Sequence, residues 1–219
     1  MEPYFQQDGI TIYHADCADI LPSIDPADVG LLLTDPPYGI AHNTNLTRFS
    51  GQSDYAPIYG DGEPFDPTEL LRFGSCGFFG ANYFSHLLPA GRWIVWNKRD
   101  RMEHKPLMSD AELVWHNLSP SVPVETFNWY WNGAYRTGEM GRHFHPTQKP
   151  VSLMRWIVER WTQPGDLVLD PYMGSGPVAE ACLQTGRRYI GIEIEEQYCQ
   201  ITVERRLNQM SLFNTTTGN

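Results

Sequence analysis

Positive charge is scarce in this chain. Sixteen Lys and Arg stand against 26 Asp and Glu, a formal net charge of −10 over 219 residues. A stable nucleic-acid binder normally carries a basic face, because phosphate neutralisation supplies most sequence-independent affinity. The acidic balance therefore argues against tight, indiscriminate adhesion to nucleic acid and predicts modest affinity that falls with salt. Long apolar runs are also missing: no stretch approaches the ~20 residues that span a bilayer, so no membrane partner is expected. The start, Met-Glu-Pro-Tyr-Phe-Gln-Gln, lacks a signal-peptide pattern. Cysteine is sparse. Cys17, Cys76, Cys182 and Cys199 have no paired close spacing, which suggests neither a disulfide framework nor a metal site. Reduced cysteines and a cytoplasmic location are the expectation, in one domain long enough to bury a core.

What is present begins with Asp35-Pro36-Pro37-Tyr38, which closes the apolar run Val29 to Thr34. A carboxylate, a proline-stiffened backbone and an aromatic ring are delivered together at the carboxyl end of a buried strand, with φ fixed by the prolines. Such a site suits a planar, amine-bearing ring held by its edge and its face. Far downstream lies Asp166-Leu-Val-Leu-Asp170-Pro-Tyr-Met-Gly174-Ser-Gly176. Leu167 to Leu169 reads as a short strand buried on both faces. Gly174 and Gly176 let the backbone pass close to a ligand, and Pro177 suits the first turn of a helix over Val178 to Gln184. The strand Tyr189 to Glu193 then ends in a carboxylate near the spacing at which an acid grips ribose hydroxyls. In that order these parts imply a nucleoside cofactor.

Between the motifs, Ile10 to His14, Arg92 to Asn97 and Glu112 to Asn117 read as strands. Phe127, Trp129 and Trp131 alternate with polar neighbours as in a half-exposed antiparallel strand. Gly39 to Gly62 is a long polar loop, a candidate lid. Asp66 to Arg72 predicts a short helix. Tyr83, Phe84, Leu87 and Leu88 recur at helical spacing, as do Met154, Ile157, Val158 and Trp161, and again Ile194, Tyr198 and Ile201. Cations cluster in the middle third: Lys98, Arg99, Arg101 and Lys105, then Arg136, Arg142, His143, His145 and Lys149.

Asp35-Pro-Pro-Tyr38 resembles the catalytic tetrapeptide of amino-methyltransferases, and its position before the glycine motif resembles the circularly permuted β-class of DNA amino-methyltransferases. Trp96 to Arg99 and Ala111 to Trp115 are similar to segments of small phage-type members, and the resemblance spans nearly the whole chain. It implies a Rossmann-like α/β fold: a seven-stranded, mostly parallel sheet with helices on both faces and one antiparallel strand, here Thr126 to Trp131. It divides the chain into a catalytic half (1–99), a short recognition region (about 100–144), a cofactor half (145–210) and a flexible tail (211–219).

The same resemblance implies S-adenosylmethionine as cofactor, S-adenosylhomocysteine as product and no metal. Asp35, Pro36, Pro37 and Tyr38 would be catalytic, with Asp35 also edging the cofactor. Asp16 and Cys17 would border its adenine, and Glu193 its ribose. Asp170, Tyr172, Gly174, Ser175 and Gly176 would flank its methionine part, with Thr147 and Lys149 near its carboxylate. Lys98, Arg99, Arg136, Arg142 and His145 would face DNA. Tyr172 stands where the family commonly has Phe, Pro177 where it has Thr, and Asn97 where Asp is frequent. Asp in the tetrapeptide goes mostly with N6-adenine transfer, on a base flipped from the duplex. N4-cytosine transfer and an inactive cofactor- and DNA-binding protein stay open beside it, and an NAD-linked oxidoreductase is disfavoured by the missing third glycine. With so short a recognition region, either specificity is low, the site is very short, or a second copy contributes in a homodimer.

Overall fold

A computed structural model of the protein describes residues 1–40, 59–98, 109–118, 123–131 and 148–205. The chain divides into two compact units, one made of residues 1–30 and 147–219, the other of residues 31–146. The first strand segment thus belongs with the C-terminal third.

In the first unit, β1 (Phe5–Gln7) and β2 (Ile10–His14) form a hairpin. Its two-residue turn, Asp8-Gly9, has φ of 48° and 81°, as a tight hairpin turn requires. β2 pairs in parallel with β9 (Arg188–Glu193), and β9 with β8 (Leu167–Asp170), so the order is β1-β2-β9-β8. β8 is buried throughout, as its uninterrupted apolar run predicts. Among its described residues the unit has four α-helices: α1 (Cys17–Ile20), α2 (Val151–Trp161), α3 (Pro177–Thr185) and α4 over residues 196–205. α2 buries Met154, Ile157 and Val158, as their spacing predicts, and packs against α3. On α4 the buried positions are Cys199 and Thr202, with Tyr198 and Ile201 only half-buried.

The second unit is built on β3 (Leu31–Thr34), β4 (Cys76–Phe79), β6 (Ala111–His116), β5 (Arg92–Asn97) and β7 (Val124–Asn128), in that spatial order. Leu31, Leu32 and Leu33 are fully buried, and each contributes about 1.5–3 kcal/mol of hydrophobic stabilisation. Trp96 and Trp115 fill the rest of this core, with Trp115 stacked on Phe78 at 5.6 Å.

Four expectations are corrected. The described residues hold nine strands, not seven, because β1 and β4 join the seven read from the sequence. The strand near Thr126 runs parallel to β5; the antiparallel strands are β6, against both β4 and β5, and β1. Tyr83 to Leu88 forms no α-helix but only a single 3-10 turn over Ser85–Leu87. The predicted helix near Asp66 is likewise a 3-10 turn, Leu70–Phe73. Of the candidate lid, Gly39 to Gly62, residues 41–58 lie outside the described residues, as does the tail, whereas β6 and β7, inside the expected recognition region, are integral sheet strands.

Candidate active site

Parallel strands deliver their carboxyl ends to one edge of a sheet, and each unit carries its polar motif at the carboxyl ends of its own strands. In the first unit, His14 of β2 is in register with Glu193 of β9, and Gly191 with Asp170 of β8. Asp16 follows β2 and caps α1, its Oδ1 accepting the Ala18 N–H at 2.9 Å. Cys17, next to it, interacts with the side chain of Tyr172. Burial pushes both groups up in pKa, so the pair stays neutral near neutral pH.

The glycine turn is braced from several sides. Glu193 accepts the Gly174 N–H through Oε2 and the Glu195 N–H through Oε1, each at 2.8 Å. Burial raises the pKa of this carboxyl, and those backbone donors oppose the shift. Asp170 is almost fully buried, accepting the Tyr172 N–H at 3.3 Å and the Tyr189 O–H at 3.2 Å. Arg205, ion-paired with Glu180, donates to the Ser175 carbonyl at 2.8 Å. Gly174 and Gly176 have φ of 53° and 74°, and a Cβ on Gly176 would strike the side chain of Thr202. Pro177 starts α3 where its missing N–H costs nothing. Among the described residues the buried hydroxyl of Ser175 has no hydrogen-bond partner, an arrangement that suits a ligand. Lys149 is buried beside the start of α2.

In the second unit, Asp35 directly follows the end of β3, and Gly80 directly follows the end of its parallel neighbour β4. The Tyr38 hydroxyl donates to Asp35 Oδ1, and the Tyr38 ring stacks on Tyr83 at 5.2 Å and 17°. Burial, followed by the Asp35 charge, raises the Tyr38 pKa well above the ordinary tyrosine range, so its O–H remains a donor. The backbone of Gly80 lies so close beneath the ring that any Cβ there would fall within it. Buried Asp61 accepts backbone N–H groups from Tyr38, Gly39 and Ile40.

The structure thus gathers Asp16, Cys17, Asp170, Tyr172, the glycine turn and Glu193 at one sheet edge, and Asp35 to Tyr38 at the end of β3. Of the presumed DNA contacts, Lys98 is ion-paired with Glu112 and lies over the Trp96 ring at 4.9 Å. Arg99, Arg136, Arg142, His145 and the cofactor candidate Thr147 lie outside the described residues. Sequence reasoning missed Asp61, Gly80 and Tyr83; the one available signal was the Gly60-Asp61-Gly62 turn pattern. Among the described residues no cluster of His, Cys, Asp or Glu could hold a metal ion, and no helix is long and apolar enough to cross a membrane.

A strand-end Asp-Pro-Pro-Tyr and a braced glycine turn followed by a strand-end Glu define the class of amino-methyltransferases. Comparison with known proteins agrees. The N6/N4 methyltransferase family model, described as DNA methylase, matches residues 96–204. YubD of Escherichia coli (strain K12) is 53% identical over 206 residues, covering 84% of each chain. The crystallised complex of M1.HpyAVI with SAM is 25% identical, with a TM-score of 0.56 over 90% of this chain and 99% of that one. The PvuII DNA methyltransferase, cytosine-N4-specific, shares the fold at 17% identity and a TM-score of 0.62, over 92% of this chain and 88% of its own. The chain belongs to the N6/N4 family of DNA amino-methyltransferases.

Proposed function

We propose that the enzyme methylates the exocyclic N6 of adenine in DNA, with S-adenosylmethionine as donor, on a base extruded from the duplex. The carrying observation is the Asp35 carboxylate, fixed at the end of a buried strand and already accepting a hydrogen bond from Tyr38. An exocyclic amino nitrogen is a poor nucleophile because its lone pair is delocalised into the ring. Asp35 and the Pro36 carbonyl, accepting hydrogen bonds from its two N–H groups, favour a nitrogen whose lone pair is available. The base amino group takes over or shares the place that the Tyr38 hydroxyl holds on Asp35. Tyr38, paired with half-exposed Tyr83, supplies an aromatic platform. Stacking returns about 1–3 kcal/mol per base, against a few kcal/mol for extrusion.

The donor fits the first unit. Glu193 would hold the ribose, and Asp16 and Cys17 the adenine edge. The glycine turn, with the partnerless Ser175 hydroxyl, would hold the methionine part with Tyr172, Thr147 and Lys149 nearby. Bound there, it supplies an electrophilic methyl on a sulfonium; the protein supplies alignment and electrostatic support. Asp in the tetrapeptide supports adenine. This reading has the enzyme act in the cytoplasm, with Arg99, Arg136, Arg142 and His145 along the DNA.

The test is methylation of unmodified DNA in vitro, then digestion and nucleoside mass spectrometry. N6-methyladenine is expected, and Asp35→Ala should abolish it while leaving donor binding intact. N4-methylcytosine instead would overturn the adenine reading, and an unimpaired Asp35→Ala would remove Asp35 from the mechanism.

A further inference from the structure

The tetrapeptide does not hold its own shape. Beyond Thr34 the chain leaves the sheet, and the amides of Tyr38, Gly39 and Ile40 have no strand to pair with. They converge instead on a single atom: Asp61 Oδ1 accepts all three, at 3.0, 2.9 and 3.3 Å. Asp61 is 4% exposed, so this is an enclosed nest of N–H groups around a carboxylate rather than a surface contact.

The segment carrying Asp61 is itself anchored. A Cβ on Gly60 would touch the Pro37 ring at 3.5 Å, and one on Gly39 would collide with the backbone of Glu63 and Pro64. Four residues after Asp61, Phe65 packs edge-on against Phe84 at 4.9 Å, and Phe84 meets Phe78 of β4. A continuous path therefore runs from the β4 core through Phe65 and Asp61 to the turn that presents Asp35 and Tyr38. Three successive amides could be satisfied by solvent in many backbone arrangements, whereas one buried oxygen permits essentially one.

We propose that Asp61 is a positioning residue for methyl transfer, one that sets the catalytic turn through its backbone and touches no reacting group. This rests on the methyltransferase reading of Asp35. Because one oxygen receives all three donors, position matters more than charge. Asn can place a carbonyl oxygen at the same point; Glu keeps the charge but moves it by a methylene.

The experiment measures single-turnover transfer of labelled methyl to DNA, donor affinity and melting temperature for the wild type, Asp35→Ala and three Asp61 variants. Asp61→Ala should lose about 10–100-fold in kcat, the scale of a misplacement near 1 Å, with donor affinity within a few-fold of the wild type. Asp61→Asn should recover most of that rate, and Asp61→Glu should not. If Asp61→Ala fails to fold, the Asn and Glu pair decides alone. Wild-type kcat in Asp61→Ala, or Glu active where Asn is not, overturns the proposal while the reading of Asp35 stands. An inactive wild type overturns that reading, and this inference with it.

Discussion

Gly80→Ala is the most demanding test of the site's geometry. Gly80 has φ of +62°, and an added Cβ would lie within the Tyr38 ring. The left-handed conformation costs a side-chain-bearing residue about 1–3 kcal/mol. Inserting a methyl group into a packed contact costs about 1–3 kcal/mol more. Together these give about 2–6 kcal/mol, and at roughly 2–4 °C per kcal/mol for a chain of this size the melting temperature should fall by about 4–24 °C. A smaller fall is expected if the Tyr38 ring swings away rather than straining the backbone. That escape breaks its hydrogen bond to Asp35 and its stacking on Tyr83, so methyl transfer drops in either case. Gly62→Ala is the control: nothing lies within 4 Å of its Cβ position, and it should stay within about 0.5 kcal/mol of the wild type. Calorimetry and a methyl-transfer assay on Gly80→Ala, Tyr38→Ala and the double variant complete the measurement. The double variant should be markedly less destabilised than the sum of the singles, because removing the ring removes the collision. A Gly80→Ala protein as stable and as active as the wild type would refute the packing described here.

Two further outcomes follow from the buried ionisable groups. Burial pushes the Cys76 and Cys199 thiols up to about 12 and raises Cys182 as well, leaving a thiolate fraction of order 10⁻⁴ at about pH 8. A thiol reagent should therefore modify at most Cys17 in the native protein and all four cysteines after unfolding; rapid native labelling of Cys76 would contradict this. The raised pKa of Glu193 means that the folded state binds its proton more readily than the unfolded chain does. Its ionisation therefore weighs against folding at neutral pH, and the penalty fades as pH falls through the folded pKa. Donor affinity should fall over that same range, starting above the ordinary glutamate value of about 4.3, and Glu193→Gln should flatten the profile. Wild-type affinity that holds down to ordinary glutamate titration would count against Glu193 as the ribose acceptor.

Sequence alone delimited β2 and β5 to the residue and came within two residues for β3, β6, β8 and β9, because their apolar runs end at turn formers. β1 is polar and half-exposed, and the Asp8-Gly9 turn that would have signalled it went unread. β4 is a four-residue Cys-Gly-Phe-Phe segment too short for periodicity to register. Alternation in β7 correctly signalled partial exposure, but direction depends on the neighbouring strand and is not written in the strand itself. The aromatic spacing from Tyr83 to Leu88 imitated a helix because tertiary contacts draw its members apart: Tyr83 to Tyr38, Phe84 to Phe65 and Phe78. Asp61 was hidden for a related reason. In sequence it is one acid between two glycines, and only the fold brings three amides to it.

The pairing of β2 with β9, including the bond from the His14 ring to the Ile194 carbonyl, spans about 180 positions of chain. During synthesis β2 must wait, one edge unsatisfied, until β9 has emerged from the ribosome. A product terminated before Arg188 would carry the Asp35 turn without β9 and without the Glu193 that braces the glycine loop.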